Sequence, residues 1–190
     1  LFAFGTATEF GYQAGTFYIV IHAFTKGLLF LCAGAFLHAI GSRDLKDLEG
    51  IGKRMPIVGG IFAIGVLSLM GMPPFAGFYA KFLILLAGVE SGVTGGYYLF
   101  FTIIALFNVL LALGYYLRML MTVWFKPESE AVQNAHGTGL SMMLSMGLLA
   151  LILVIVGFYP APLYSLAESA GSALFNFGQL VNGILSAGTP

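Results

Sequence analysis

Apolar runs separated by short polar stretches recur along the whole chain, at about 14–40, 57–72, 76–92, 97–124 and 139–159. Each approaches the length that carries a helix across a hydrocarbon core, roughly 20 residues. A helix satisfies its backbone amides internally, and the alternating segments of a membrane barrel are not seen. The pattern therefore predicts an all-α, polytopic transmembrane bundle. Residues 1–11 read as the end of an earlier helix and a turn. Beyond Pro160 and Pro162, residues 163–190 return apolar positions at mixed spacing, predicting a C-terminal helix that lies along the membrane or spans it. The expectation is one membrane domain over residues 1–190, with about five to six transmembrane helices.

Two loops are polar, 41–56 and 125–138, and counting alternate crossings puts them on opposite sides of the membrane. They carry four and one basic residues, a bias too small to orient the chain.

The second and third runs are short, about 24 to 26 Å of helix, and are joined by "LMGMPPFAGFYAK". Pro73 and Pro74 remove two amide donors, while Gly71 and Gly77 lower the cost of irregular backbone around them. A turn or broken helix dipping into the bilayer is expected. Such breaks survive at membrane depth only where protein or a water-filled cavity covers them, and transporters build ion sites from them.

Composition adds to this picture. Of 190 residues, 59% are hydrophobic and 8% charged, with mean hydropathy +0.95, far from a water-soluble domain. Eight basic and eight acidic residues balance, so nothing points to nucleic acid or to a polybasic membrane-surface patch. The lone Cys32 excludes an internal disulfide and any four-cysteine iron–sulfur or zinc site made by this chain alone. No cofactor is expected in the chain. No nucleophile–base pair, metal-ligand spacing or phosphate-cradling loop is visible either, and Gly59, Gly60 and Gly65 suit close helix packing. The chain opens at Leu1 within apolar sequence and shows no signal peptide, so a preceding N-terminal part is expected.

Against this background the few intramembrane charges stand out. Lys26 lies twelve residues from the start of its run and fourteen from the end, roughly 18 Å of helix from the nearer interface. Snorkelling does not cover that distance. A central lysine costs on the order of 3 kcal/mol to insert, so it should face the bundle interior, a partner or water. Burial disfavours the charged form of a lysine and brings proton release within physiological reach. His22 sits one turn away on the same helical face, at the spacing of a proton relay. The plainer reading of this pair is a structural polar contact with a neighbouring helix. Lys81 follows the double proline; a break at the interface would let it snorkel, but its apolar flanks and the short preceding run favour a relay role. His38, near the end of its run, reads as an interfacial or packing histidine, and Arg118 with Trp124 as an interfacial anchor. Glu9 and Glu90 flank runs as relay ends or solvated groups.

The ordered motifs "HAFTKGLLFLCAGA", "DLKDLEGIGKRMP" and "LSLMGMPPFAGFYAKFLIL" resemble the antiporter-like subunits of respiratory complex I, NADH:quinone oxidoreductase. The same family takes in ion-pumping subunits of membrane-bound hydrogenases and of Mrp-type Na⁺/H⁺ antiporters. The match runs from about Tyr12 to Pro162. The resemblance implies an inverted pair of helical repeats, each with a broken helix, crossed at the midplane by buried lysines, histidines and glutamates. It places Lys26 and His22 on the central helix of the second half, and Lys81 on that half's broken helix as the terminal proton carrier. The first repeat, with its glutamate–lysine pair, is absent from this sequence. A neighbouring chain or a longer one would supply it.

The resemblance also implies partners: other membrane subunits, neighbouring antiporter-like subunits among them, with flavin, nickel or iron–sulfur centres held elsewhere in redox-driven assemblies. The expected setting is a prokaryotic cell membrane or an organelle inner membrane. The first functional expectation is translocation of protons or sodium ions within a redox-driven pump, the chain itself doing no covalent chemistry. The second is Mrp-type Na⁺/H⁺ antiport without a redox partner. The third is a structural membrane anchor whose buried lysines pair with partner carboxylates.

Overall fold

The structure, a computed structural model, describes residues 1–187. Among these residues every regular element is helical. A short α1 (Phe2–Gly5) precedes α2 (Glu9–Ile40), and α3 (Ile51–Arg54) leads into α4 (Pro56–Met70) and α5 (Ala76–Thr94). There follow α6 (Gly96–Trp124), a short α7 (Glu130–Gln133), α8 (Leu140–Phe158) and α9 (Ala161–Ala187). By length and apolarity α2, α6 and α8 can each cross a membrane, and α4 is a shorter apolar helix. The chain is a membrane-embedded all-α bundle. Of the expected C-terminal helix, residues 188–190 lie outside the described residues.

The helix α2 is the axis of the bundle, packed against α4, α5, α8 and α9. Its buried positions Ala14, Phe17, Ile21, Thr25, Leu28, Cys32, Ala35 and Ala39 recur at three- and four-residue steps, one continuous stripe. Its start is set by Thr8, whose hydroxyl accepts the Gly11 N–H at 3.1 Å, and its end by Gly41 at φ +72°. Gly65 lets α4 close on Leu28 and Leu29 of α2, and Gly59 packs against Gly52 and Trp124. Gly60, expected to serve the same purpose, faces open space.

The two polar loops lie together, against the expectation from counting crossings. Ser129 N–H donates to the Glu49 carbonyl at 3.1 Å, Gly50 N–H to the Thr122 carbonyl at 3.0 Å, and Lys126 pairs with Glu49 at 2.6 Å. Both loops therefore occupy one end of the bundle. The physical reason is that α4 and α5 do not cross separately. They are two halves of one interrupted crossing, and α6 then returns to the starting end. Their joint is the "MGMPPF" segment, and the halves overlap side by side there, with Gly77 of α5 against Ser68 of α4. Gly157 of α8 lies against Pro74 and Phe75.

Candidate functional site

At the break, α4 ends in a Schellman turn. Gly71, at φ +82°, donates to the Ser68 carbonyl at 3.0 Å, and Met72 N–H donates to the Leu67 carbonyl at 3.0 Å. This closes the Leu67 and Ser68 carbonyls and leaves that of Met70 free of the turn. Lys81, in the second turn of α5, fills the gap: its Nζ donates to the Met70 carbonyl at 3.1 Å. The ammonium thus sits at the C-terminal, electronegative end of α4, where a cation is favoured.

Opposite stands α2. Tyr18, His22 and Lys26 succeed one another at four-residue steps on one face. The His22 ring stacks on Tyr18, centroids 5.3 Å apart and planes at 18°. His22, Tyr18 and Lys81 line a common cavity of about 10 Å³, together with Thr25, Ser68 and Gly77. That volume is close to the least that holds one water molecule. Lys81 also borders a larger space of about 330 Å³ between α1, α2, α5 and α6, into which Asn108 of α6 faces.

Lys26 lies one turn further along α2, on the wall of a separate cavity of about 420 Å³ shared with Tyr115 and Tyr116 of α6. The fold thus gathers His22 and Lys81 directly, with Lys26 in the adjoining space. Among the described residues the one ion pair is Lys126–Glu49, at the end of the bundle, and no carboxylate pairs with either lysine.

The remaining charged positions stay apart. Glu9, Glu90, His38 and Arg118 are exposed and do not join the cluster. Trp124 has a larger part than anchorage, because its indole N–H donates to the Gly59 carbonyl at 3.2 Å and ties α6 to α4. Tyr18, Thr25, Ser68 and the Met70 carbonyl were not singled out by the sequence reading. Only Tyr18 carried a signal, an aromatic hydroxyl one turn before His22; single Ser and Thr residues in apolar helices are too common to stand out. Among the described residues no group of three or more His, Cys, Asp or Glu side chains could hold a metal ion.

Residues 1–106 match the family model described as "NADH:quinone oxidoreductase/Mrp antiporter, TM". The chain belongs to this family. It is 35% identical over 172 residues to the Na(+)/H(+) antiporter subunit A1 of Staphylococcus haemolyticus (strain JCSC1435), covering 86% of this chain and 21% of that protein. It is 32% identical over 197 aligned positions to NADH-ubiquinone oxidoreductase chain 5 of Phytophthora infestans, covering 95% of this chain and 28% of that one. The chain thus spans under a third of either relative.

Among solved structures, a chain of the membrane-bound sulfane sulfur reductase, an archaeal respiratory membrane complex, superposes with TM-score 0.75 at 30% identity, over 87% of this chain and 32% of that chain. A chain of the Mrp complex from Dietzia sp. DQ12-45-1b gives TM-score 0.75 at 23% identity, over 94% of this chain and 40% of its own length. The latter likeness is one of fold. The antiporter-like architecture read from the three sequence motifs is therefore that of this chain, and the relatives so named are chains of multisubunit membrane complexes.

Proposed function

We propose that this chain forms part of an ion-translocating membrane subunit in which Lys81, His22 and Lys26 pass protons across the middle of the bundle. The observation that carries the reading is Lys81 itself. Its ammonium is held by the Met70 carbonyl at the break of an interrupted crossing, and the same side chain borders the small cavity on whose wall His22 lies. When protonated, Lys81 is stabilised by that carbonyl and by the end of α4. When it has lost its proton that attraction weakens, and the amine is free to take up a proton by way of His22. An ammonium on Lys26 repels one on Lys81, so charging either lysine favours release from the other.

Further membrane subunits, neighbouring antiporter-like chains among them, would complete the path. Any flavin, nickel or iron–sulfur centre that drives it would be held by those partners. A second reading, Na⁺/H⁺ antiport with no redox partner, is favoured by the 35% identity to an antiporter subunit.

The test is proton movement by the native assembly in proteoliposomes, wild type against Lys81→Ala, with assembly followed on native gels. Loss of flux with normal assembly is the expected result, and undiminished flux would sink the relay. Flux that needs an electron donor marks the redox-driven pump, whereas sodium-dependent flux without a donor marks the antiporter.

A further inference from the structure

We infer that Ser68 and Thr25 are positioning residues: a directed hydrogen-bond chain from Gly77 N–H through Ser68 and Thr25 to the Ile21 carbonyl holds the start of α5, and with it Lys81, in place against His22. The inference rests on the relay proposed above.

The direction of the chain follows from valence. Thr25 donates its only hydroxyl proton to the Ile21 carbonyl at 2.8 Å, so its oxygen is an acceptor on the Ser68 side. Ser68 Oγ stands 3.4 Å from that oxygen and accepts the Gly77 N–H at 3.2 Å, which leaves the serine proton for Thr25. Both side chains are sealed from solvent, at 0% exposure for Ser68 and 1% for Thr25, so an uncommitted hydroxyl here would be costly. With every proton assigned and no titratable member, the chain does not conduct. It fixes geometry.

What it fixes is the joint between the half-helices. Gly77 is the second residue of α5, where backbone N–H groups lack intrahelical partners, and Phe75 at the N-cap position supplies no side-chain cap. Ser68 of α4 provides that cap from another helix. The same residue's carbonyl accepts the Gly71 N–H that ends α4. One serine therefore closes the first half-helix and opens the second. A methyl group on Gly77 would collide with the Ser68 carbonyl, so the two backbones already touch. Lys81 lies four residues beyond Gly77 on the same helical face, and any shift at Gly77 carries it away from Met70 and His22. Thr25 sits between His22 and Lys26 in the sequence, so the clamp also sets the level of α2 against the break.

The experiment compares Ser68→Ala, Thr25→Val, Thr25→Ser and Lys81→Ala in the native assembly, by amide hydrogen exchange over residues 76–81 and by ion flux. Ser68→Ala should raise exchange in this segment, and lower flux, roughly fivefold or more. Thr25→Val should act in the same direction but less, because its link is the longest in the chain, and Thr25→Ser, which keeps the hydroxyl, should restore both readouts. If Ser68→Ala fails to assemble, the Thr25 pair decides alone. Unchanged exchange overturns the clamp, and raised exchange with normal flux overturns its role in transport. Undiminished flux in Lys81→Ala overturns the relay instead, and exchange still reports on the clamp.

Discussion

Lys81 lies eleven residues beyond Met70, yet its ammonium donates to that residue's carbonyl at 3.1 Å. Ordinarily a helix carries its lysines away from the preceding helix's end. Here the Schellman turn at Gly71 folds the linker back, so that the first turns of α5 overlap the end of α4 before α5 continues the crossing.

Gly71→Ala tests that arrangement without altering a charge. At φ +82° an alanine costs on the order of 1–2 kcal/mol. Its methyl would also fall 2.8 Å from Lys81 Cδ, pushing the side chain from its carbonyl. Lower thermal stability of the assembly and reduced ion flux are expected together. Wild-type flux would show that the Met70 contact is dispensable.

The shared end of the two polar loops makes a topological prediction. In sealed vesicles, Lys46→Cys and Glu130→Cys should be labelled by an impermeant maleimide from the same side. Labelling from opposite sides would mean that α4 and α5 each cross the membrane in full.

The native cysteine should not disturb that experiment. Cys32 is 0% exposed within the core stripe of α2, so it should resist maleimide in the folded assembly and react only after denaturation in detergent. Reaction in the native state would place α2 in a different rotational setting.

Gly59 and Gly60 are adjacent but should respond oppositely to alanine. A methyl on Gly59 meets the Gly52 Cα at 2.8 Å and the Trp124 ring at 3.1 Å, whereas Gly60 has nothing within reach. Gly60→Ala should be neutral or stabilise helix α4 by about 0.5–1 kcal/mol. Gly59→Ala should lower the unfolding temperature of the assembly by parting α4 from Trp124. Equal responses would contradict the packing of α6 on α4.

Sequence by itself determined the class of the molecule and the residues on which its proposed chemistry rests. Apolar runs of membrane length require helices, because no other open segment satisfies its own amides in lipid. Lys26 and Lys81 stood out for the same reason, as a charge in such a run is costly to insert. The double proline and its glycines marked the break to within a few residues. Three things were decided only by tertiary structure. Whether α4 and α5 form one crossing or two depends on which end each returns to, and loop composition does not encode that; the contacts of Glu49 with Ser129 and Lys126 do. Which glycines serve packing depends on what lies opposite each, and this separates Gly59 from its neighbour Gly60. That Ser68 caps a helix other than its own, at a residue nine positions further along the chain, arises from the overlap of the two half-helices. Periodicity reports the face a residue shares with its own helix, whereas a hydrogen bond between helices exists only once both are placed.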